Sequence, residues 1–316
     1  MRPIELFTQV LEVAAALLAA PLYLGWVNQC RAWLQNRSAP SVLQVYRGIR
    51  KLFHKDAIIA AGASPLFRLA PYVVFGTMVA AAAIIPSMGT RLPFATAADA
   101  IALVGLFATA RVFISLAAMD IGTPFGTLGA RREMMVGFLA EPALLIVIFV
   151  ASLISMTTAL PLISERLATQ ALSLSPSLAF TAVAFTMVLL AENARIPIDN
   201  PATHLELTMI HEAMLLEYSA RHLALMEWAA ALKLFNYTCV GFALFIPWGA
   251  AMGEAGPLEL LGAIPILALK LAVAGVALAL IETVSAELRV FRAPEFLATA
   301  FLFAVLGLLV HILLGG

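Results

Sequence analysis

Residues 176–201 read PSLAFTAVAFTMVLLAENARIPIDNP, and the change of character at residue 192 decides the fold. From 176 to 191 no side chain is charged, and then Glu192, Arg195 and Asp199 fall within eight residues, beside Pro197 and Pro201. As an α-helix the span 176–192 would extend about 26 Å at 1.5 Å per residue. That is close to the roughly 30 Å of hydrocarbon in a bilayer. The two prolines then stop the helix and force extended or turn geometry. Irregular backbone survives at a membrane edge only where protein buries it or water reaches it.

The same pattern repeats on both sides of this stretch. Apolar runs of spanning length cover 4–27, 67–88, 97–119, 134–156, 223–248, 258–282 and 296–314. None alternates with the two-residue period of a membrane barrel strand. The first run reads as a span and not as a cleaved leader, being long and carrying Glu5 and Glu12. Composition agrees: 62% of the 316 residues are hydrophobic and 12% charged, with a mean hydropathy of +0.97. Soluble domains carry about 25% charged residues, so half the usual supply cannot cover a water-facing surface. The fold class expected is an all-α integral membrane protein, one polytopic domain over 1–316 with eight transmembrane helices.

Lysine and arginine are unequally divided between the connections. Twelve fall after odd-numbered spans (Arg31, Arg37, Arg47, Arg50, Lys51, Lys55, Arg131, Arg132, Arg195, Arg221, Arg289, Arg292), against Arg2, Arg91 and Arg166 on the other side. The positive-inside rule makes the odd loops cytoplasmic and places both termini on the external, periplasmic side. The cytoplasmic loops, about 28–66, 120–133, 193–222 and 283–295, include two long ones suited to docking another protein. Residues 42–53 have helical amphipathic spacing, with Arg47, Arg50 and Lys51 available to lipid headgroups or to a partner. From Ala202 a second, shorter helix toward Ser219 is expected, with Pro201 at its first position and Glu217 paired to Arg221 at i,i+4.

Several ionisable groups fall where charge is expensive: Glu12, Arg111, Glu141, Glu192, Glu227, Lys233, Lys270 and Glu282. Each costs about 2.5–3.5 kcal/mol at the bilayer centre on insertion scales, so they must face the bundle interior. The bland role is a satisfied ion pair; the functional one is a proton path. Three of them, Glu141, Glu192 and Glu227, fall on the side of the loop acids Asp199, Glu206, Glu212 and Glu217, and together these suggest a funnel from loop to mid-membrane. Other chemistry lacks its residues. Two cysteines cannot ligate an iron–sulfur cluster. His204 and His211 lack the i,i+4 spacing of a zinc helix, so no metal is expected. Nineteen basic residues balance nineteen acidic ones, which gives nucleic acid no electrostatic footing.

The stretch from Ala191 through Asp199, with Glu206-Leu207 and Glu217-Tyr218-Ser219, resembles the signature of the NuoH family of respiratory complex I. It is most similar to the branch formed by the membrane subunits of formate hydrogenlyase and other group 4 nickel–iron hydrogenases (HycD/HyfC). Asn36-Arg37 to Tyr46-Arg47, Asp120 to Phe125, Arg132-Glu133, Glu141-Pro142, Lys233, Phe245 to Gly249, Lys270 and Glu282 extend the likeness over nearly the whole chain. The resemblance implies a non-catalytic subunit in a bacterial or archaeal cytoplasmic membrane. It would join hydrogenase-like large and small subunits and an iron–sulfur subunit to antiporter-like membrane subunits. By that resemblance Glu141, Glu192, Asp199, Glu206 and Glu217 would relay coupling to proton or sodium movement, and the placement of charge adds Glu212, Glu227, Lys233, Lys270 and Glu282 to the relay. Arg37, Arg47, Arg131, Arg132 and Arg195 would dock the redox arm. No cofactor is expected on this chain; iron–sulfur and nickel–iron groups would reside in the partners. Ala202 and His204 stand where complex I has acids, and Arg37-Ser38-Ala39-Pro40 lacks the family glycine, which counts against a quinone chamber. The alternatives are a self-sufficient cation/proton transporter, an inert scaffold, or a quinone-binding subunit.

Overall fold

A computed structural model of the chain describes residues 3–60, 62–90, 92, 99–169, 175–196, 198–199, 209–253, 257–285 and 292–314, with the backbone alone for 3–7, 257 and 258. The described residues form helices α1 (Pro3–Leu34), α2 (Gln44–Phe53), α3 (Pro65–Ala82), α4 (Ala100–Asp120), α5 (Pro124–Ser155), α6 (Leu160–Thr169), α7 (Pro176–Glu192), α8 (His211–Leu215), α9 (Ala220–Phe245), α10 (Pro257–Val284) and α11 (Ala293–Leu314). No β-strand occurs among them; Gly89 and Ala251 form an isolated bridge. Seven helices (α1, α3, α4, α5, α9, α10 and α11) are long and apolar enough to cross a membrane, and α7, apolar over 17 residues, is shorter. The chain is an integral, multi-pass membrane protein.

The order of packing runs α10, α1, α9, α3, α4, α5, then α7 and α11 against α5 and each other. Helix α9 also touches α2, α6 and α7, so it forms the axis of the bundle. Two-thirds of its span is buried (67%), against 22% for α11, whose outer face carries Leu302, Leu306 and Leu309. Exposed leucines on a spanning helix are lipid contacts, not packing defects.

Prolines inside two of these helices, α1 and α3, set cross-links. A helical proline removes the hydrogen bond to the carbonyl four residues earlier. Pro21 in α1 frees the carbonyl of Leu17, and Trp228 Nε1 of α9 donates to it at 3.1 Å. Tyr46 of α2 donates to the neighbouring Leu18 carbonyl. Pro71 in α3 frees the carbonyl of Phe67, which Tyr218 Oη reaches at 3.0 Å while its ring stacks on Phe67 at 4.0 Å between centroids. Each broken backbone bond thus becomes a bond between helices, as a carbonyl in a lipid-embedded bundle requires.

Helix ends depart from the apolar runs for local reasons. Helix α1 continues to Leu34, past the expected limit at 27, because no breaker intervenes before Asn36, which sits at φ 53°. Helix α3 stops at Ala82, short of 88, because the ring of Pro86 forbids a further turn. Helix α5 begins at Pro124, ten residues before its apolar part, with proline at its first position. Arg131, Arg132 and Glu133 lower hydropathy there without ending the helix. The connection 157–175 contains α6, whose Arg166 donates to the Ser155 carbonyl at the end of α5. The expected helix 202–219 is described only as α8, and residues 201–208 lie outside the described region. Glu217 and Arg221 straddle the break between α8 and α9 and make no ion pair; the expected i,i+4 couple has no continuous helix to hold it.

Candidate functional site

Arg111 lies midway along α4, in register fixed by Asp99, whose carboxylate caps the helix by accepting from Ile101 N at 3.1 Å and Ala102 N at 3.0 Å. Its guanidinium points into the bundle, 5% exposed. Opposite it on α5, Glu133, Gly137 and Glu141 follow one another at intervals of four and so form one strip of the helix. Gly137 supplies the room: a Cβ there would lie 2.7 Å from Arg111 Cδ.

Three carboxylates converge on that one guanidinium. Nε faces Glu133 Oε1 at 3.4 Å, Nη1 bonds Glu141, and Nη2 bonds Glu192, the last residue of α7. From α9, Lys233 Nζ approaches the other oxygen of Glu192 at 3.0 Å. Four helices therefore meet in a network of three acids and two bases, net −1 when all are ionised. A guanidinium has five donors in a rigid fork and can satisfy several carboxylates at once. The odd negative charge is expensive in a lipid-embedded interior, and gaining one proton removes it. A small cavity opens onto Arg111, Glu133, His211 and Lys233, with Val74, Met78 and Met226 among its apolar walls.

The end of α7 aims a second network. Ala194 adopts φ 49°, and the N–H groups of Ala194 and Arg195 turn back to Ala191 O (3.3 Å) and Leu190 O (2.9 Å). This is a Schellman ending with alanine in the left-handed position. It carries Arg195 against α10, where Nη1 meets Glu282 Oε1 at 3.1 Å, while Arg31 of α1 meets Oε2 at 3.5 Å. Next along the chain, Asp199 Oδ2 accepts from the backbone N–H of His211 at 3.0 Å. Arg132 donates to Met209 O at 2.8 Å, and Gly129 lets the Ile210 backbone sit close to α5. Helix α8 is thereby pinned over the mouth of the cavity.

The expected site residues divide accordingly. Glu141, Glu192 and Lys233 are in the first network and Glu282 with Arg195 in the second; Asp199 and partly buried Glu212 hold or belong to α8. Glu227 is partly buried on α9 with no cation in ion-pair range among the described residues. Lys270 lies apart, donating to Ile246 O at 2.6 Å beyond the end of α9. Glu217 is exposed, and Glu206 lies outside the described residues. Of the docking arginines, Arg37, Arg47 and Arg131 are exposed; Arg132 is engaged with Met209, and Arg195 is buried on Glu282 and serves as an internal clamp. The sequence reading left Arg111 and Glu133 out of the relay. The signal was present: an arginine inside a span, and an acid two turns before Glu141 with glycine between them.

Burial also sets the protonation of α8. The His211 imidazole is held below its ordinary value of about 6.5, chiefly by desolvation, with Lys233 nearby acting in the same direction and Glu133, Asp199 and Glu192 against it. The Asp199 carboxyl is pushed up, again mainly by burial. The signs follow by linkage. For His211, with a lowered folded value, the neutral form's stability is complete above about 6.5 and falls as pH drops through that value toward the folded one. For Asp199, with a raised folded value, stability is lost as pH rises from its ordinary value toward the folded one. Comparing wild type with His211→Gln therefore isolates the histidine. Between pH 7.5 and 5.5 the wild type should lose stability relative to the variant by up to about 1.4 kcal/mol per pH unit below 6.5. Thermal unfolding in detergent reads this, and parallel pH curves for the two proteins would refute it.

A polytopic helical bundle with buried charge networks beside loops at one end defines a class, and the comparisons place the chain in a family. Residues 8–313 match the NADH dehydrogenase family, and the chain belongs to it. It is 34% identical to formate hydrogenlyase subunit 4 of Escherichia coli over 298 residues, 94% of this chain and 95% of that protein. It is 36% identical to hydrogenase-4 component C of the same organism over 241 residues, 76% and 75% of the two chains. Its fold is similar to a chain in the structure of the membrane-bound sulfane sulfur reductase, an archaeal respiratory membrane complex. There the TM-score is 0.81 at 19% identity, covering 96% of this chain and 98% of the other.

Proposed function

We propose that the chain is the membrane-anchoring, energy-coupling subunit of a group 4 nickel–iron hydrogenase-type or complex I-like redox complex. It links electron transfer in a cytoplasmic arm to proton or sodium movement through antiporter-like membrane partners. The observation that carries this is the network of Arg111, Glu133, Glu141, Glu192 and Lys233, whose net charge can change by one proton where charge is costly. The two curated relatives, components of formate hydrogenlyase and hydrogenase-4, supply the partner class. In this reading α7 completes eight spans, both termini face outward, and α2 and α8 lie on the cytoplasmic side of a bacterial or archaeal cytoplasmic membrane. Arg37, Arg47 and Arg131, exposed on that side, receive the hydrogenase-like large and small subunits and the iron–sulfur subunit. The chain binds no redox group; it senses the arm through α8 and the turn after α7, which connect the loops to both networks.

The test is to purify the tagged chain from its native membrane and to reconstitute the chain alone in liposomes. We expect iron–sulfur-bearing subunits to co-purify and the isolated chain to carry no ion flux. Flux from the isolated chain would identify a self-sufficient transporter instead.

A further inference from the structure

At the end of the bundle remote from α2 and α8, Glu12 of α1 is 1% exposed. Its Oε1 accepts from the backbone N–H groups of Met88 (3.0 Å) and Gly89 (2.6 Å), in the turn that bridges to Ala251. Its Oε2 is buried with no hydrogen-bond partner, and no lysine or arginine among the described residues comes within ion-pair distance. On its own helix Thr8 and Gln9 are also buried. The titratable groups facing it from other elements are Cys239 of α9, whose buried thiol lies within electrostatic reach of both Glu12 and Lys270, and through it Lys270 of α10. Beside them a small crevice is lined by Ser87, Ser164, Cys239, Phe242 and Lys270.

Holding the 88–89 turn needs one acceptor oxygen, which an amide would supply without the liability of a charge. A carboxylate adds a second oxygen that holds nothing in place, at a depth where ionisation is costly. What it adds is the capacity to carry a proton. We propose that Glu12 is a second proton-exchange station, at which Oε2 takes a proton from the bundle interior and releases it to water at this end. The carboxylate becomes the neutral acid and returns to the anion; no other bond changes. A metal cation would need about six oxygen ligands, and here a single carboxylate oxygen stands free. The inference rests on the coupling function proposed above and gives its protons an outlet.

Two measurements on the intact complex test it. Native membranes are treated with dicyclohexylcarbodiimide, which modifies protonated carboxyls in apolar surroundings, and the α1 peptide is read by mass spectrometry. Glu12 should be modified, less so as pH rises; a Glu12 left unmodified at every pH overturns the proposal. Glu12→Gln should assemble and turn over but lose proton translocation, whereas Glu12→Ala, without the acceptor for Met88 and Gly89, should also lose assembly. Full translocation by Glu12→Gln overturns the proposal as well. Labelling decides the question for Glu12 whatever Glu192→Gln shows, so failure of this station and failure of the coupling function are read separately.

Discussion

Arg111→Ala is expected to destabilise the protein by about 3–5 kcal/mol, the usual cost of leaving buried charges without their partner. The guanidinium is the hub: without it Glu133, Glu141 and Glu192 face one another with Lys233 as the remaining cation. Protonation of one or two acids would soften the loss but not abolish it, because each neutral carboxyl still lacks the donor it was built around. Arg111→Lys keeps the charge and should recover only part of the stability, since one ammonium cannot span three carboxylates. Unfolding in detergent measures both variants. A loss below about 1 kcal/mol for Arg111→Ala, the range of an exposed pair, would show that the network is not a buried unit.

The largest functional effect is expected for Glu192→Gln. The amide keeps the size of the side chain and an oxygen for Arg111, so assembly should be normal. The network loses its odd negative charge, and with it the capacity to take up a proton. Ion translocation per turnover should then fall on the order of a hundredfold, the low end for deleting a proton-transferring group. Reconstituted complex, with turnover and ion uptake followed together, separates this from a general loss of activity. Glu206→Gln is expected to act in the same sense. Unchanged coupling in both variants, with normal assembly, would contradict the relay.

Much of the fold was legible because lipid selects composition: a run such as 293–314 has few polar side chains and can only be a span or a buried helix. The site was legible in part. Glu141, Glu192 and Lys233 stood out because ionisable groups within apolar runs demand an explanation. Their common partner did not, since Arg111 is 22 residues from Glu133 and 81 from Glu192, and no local spacing connects them. Arg195 and Glu282, 87 apart, illustrate the same limit: a loop arginine reads as a docking group until the Schellman turn is seen to aim it inward. Pro197 and Pro201 were readable as helix breakers. Inside α1 and α3 prolines act as cross-links, which depends on Trp228 and Tyr218 arriving from other elements. Helix α5 shows why hydropathy misplaces ends: polarity and helicity part company between 124 and 133.

The central claim is that carboxyls in the bundle change protonation when the redox arm changes state. Redox-triggered infrared difference spectroscopy on the purified complex tests it most directly, comparing wild type with Glu192→Gln and Glu141→Gln. The account predicts carboxyl bands in the oxidised-minus-reduced spectrum that shrink or vanish in at least one of the two variants. Difference spectra identical to wild type in both would contradict it and leave the network a structural clamp.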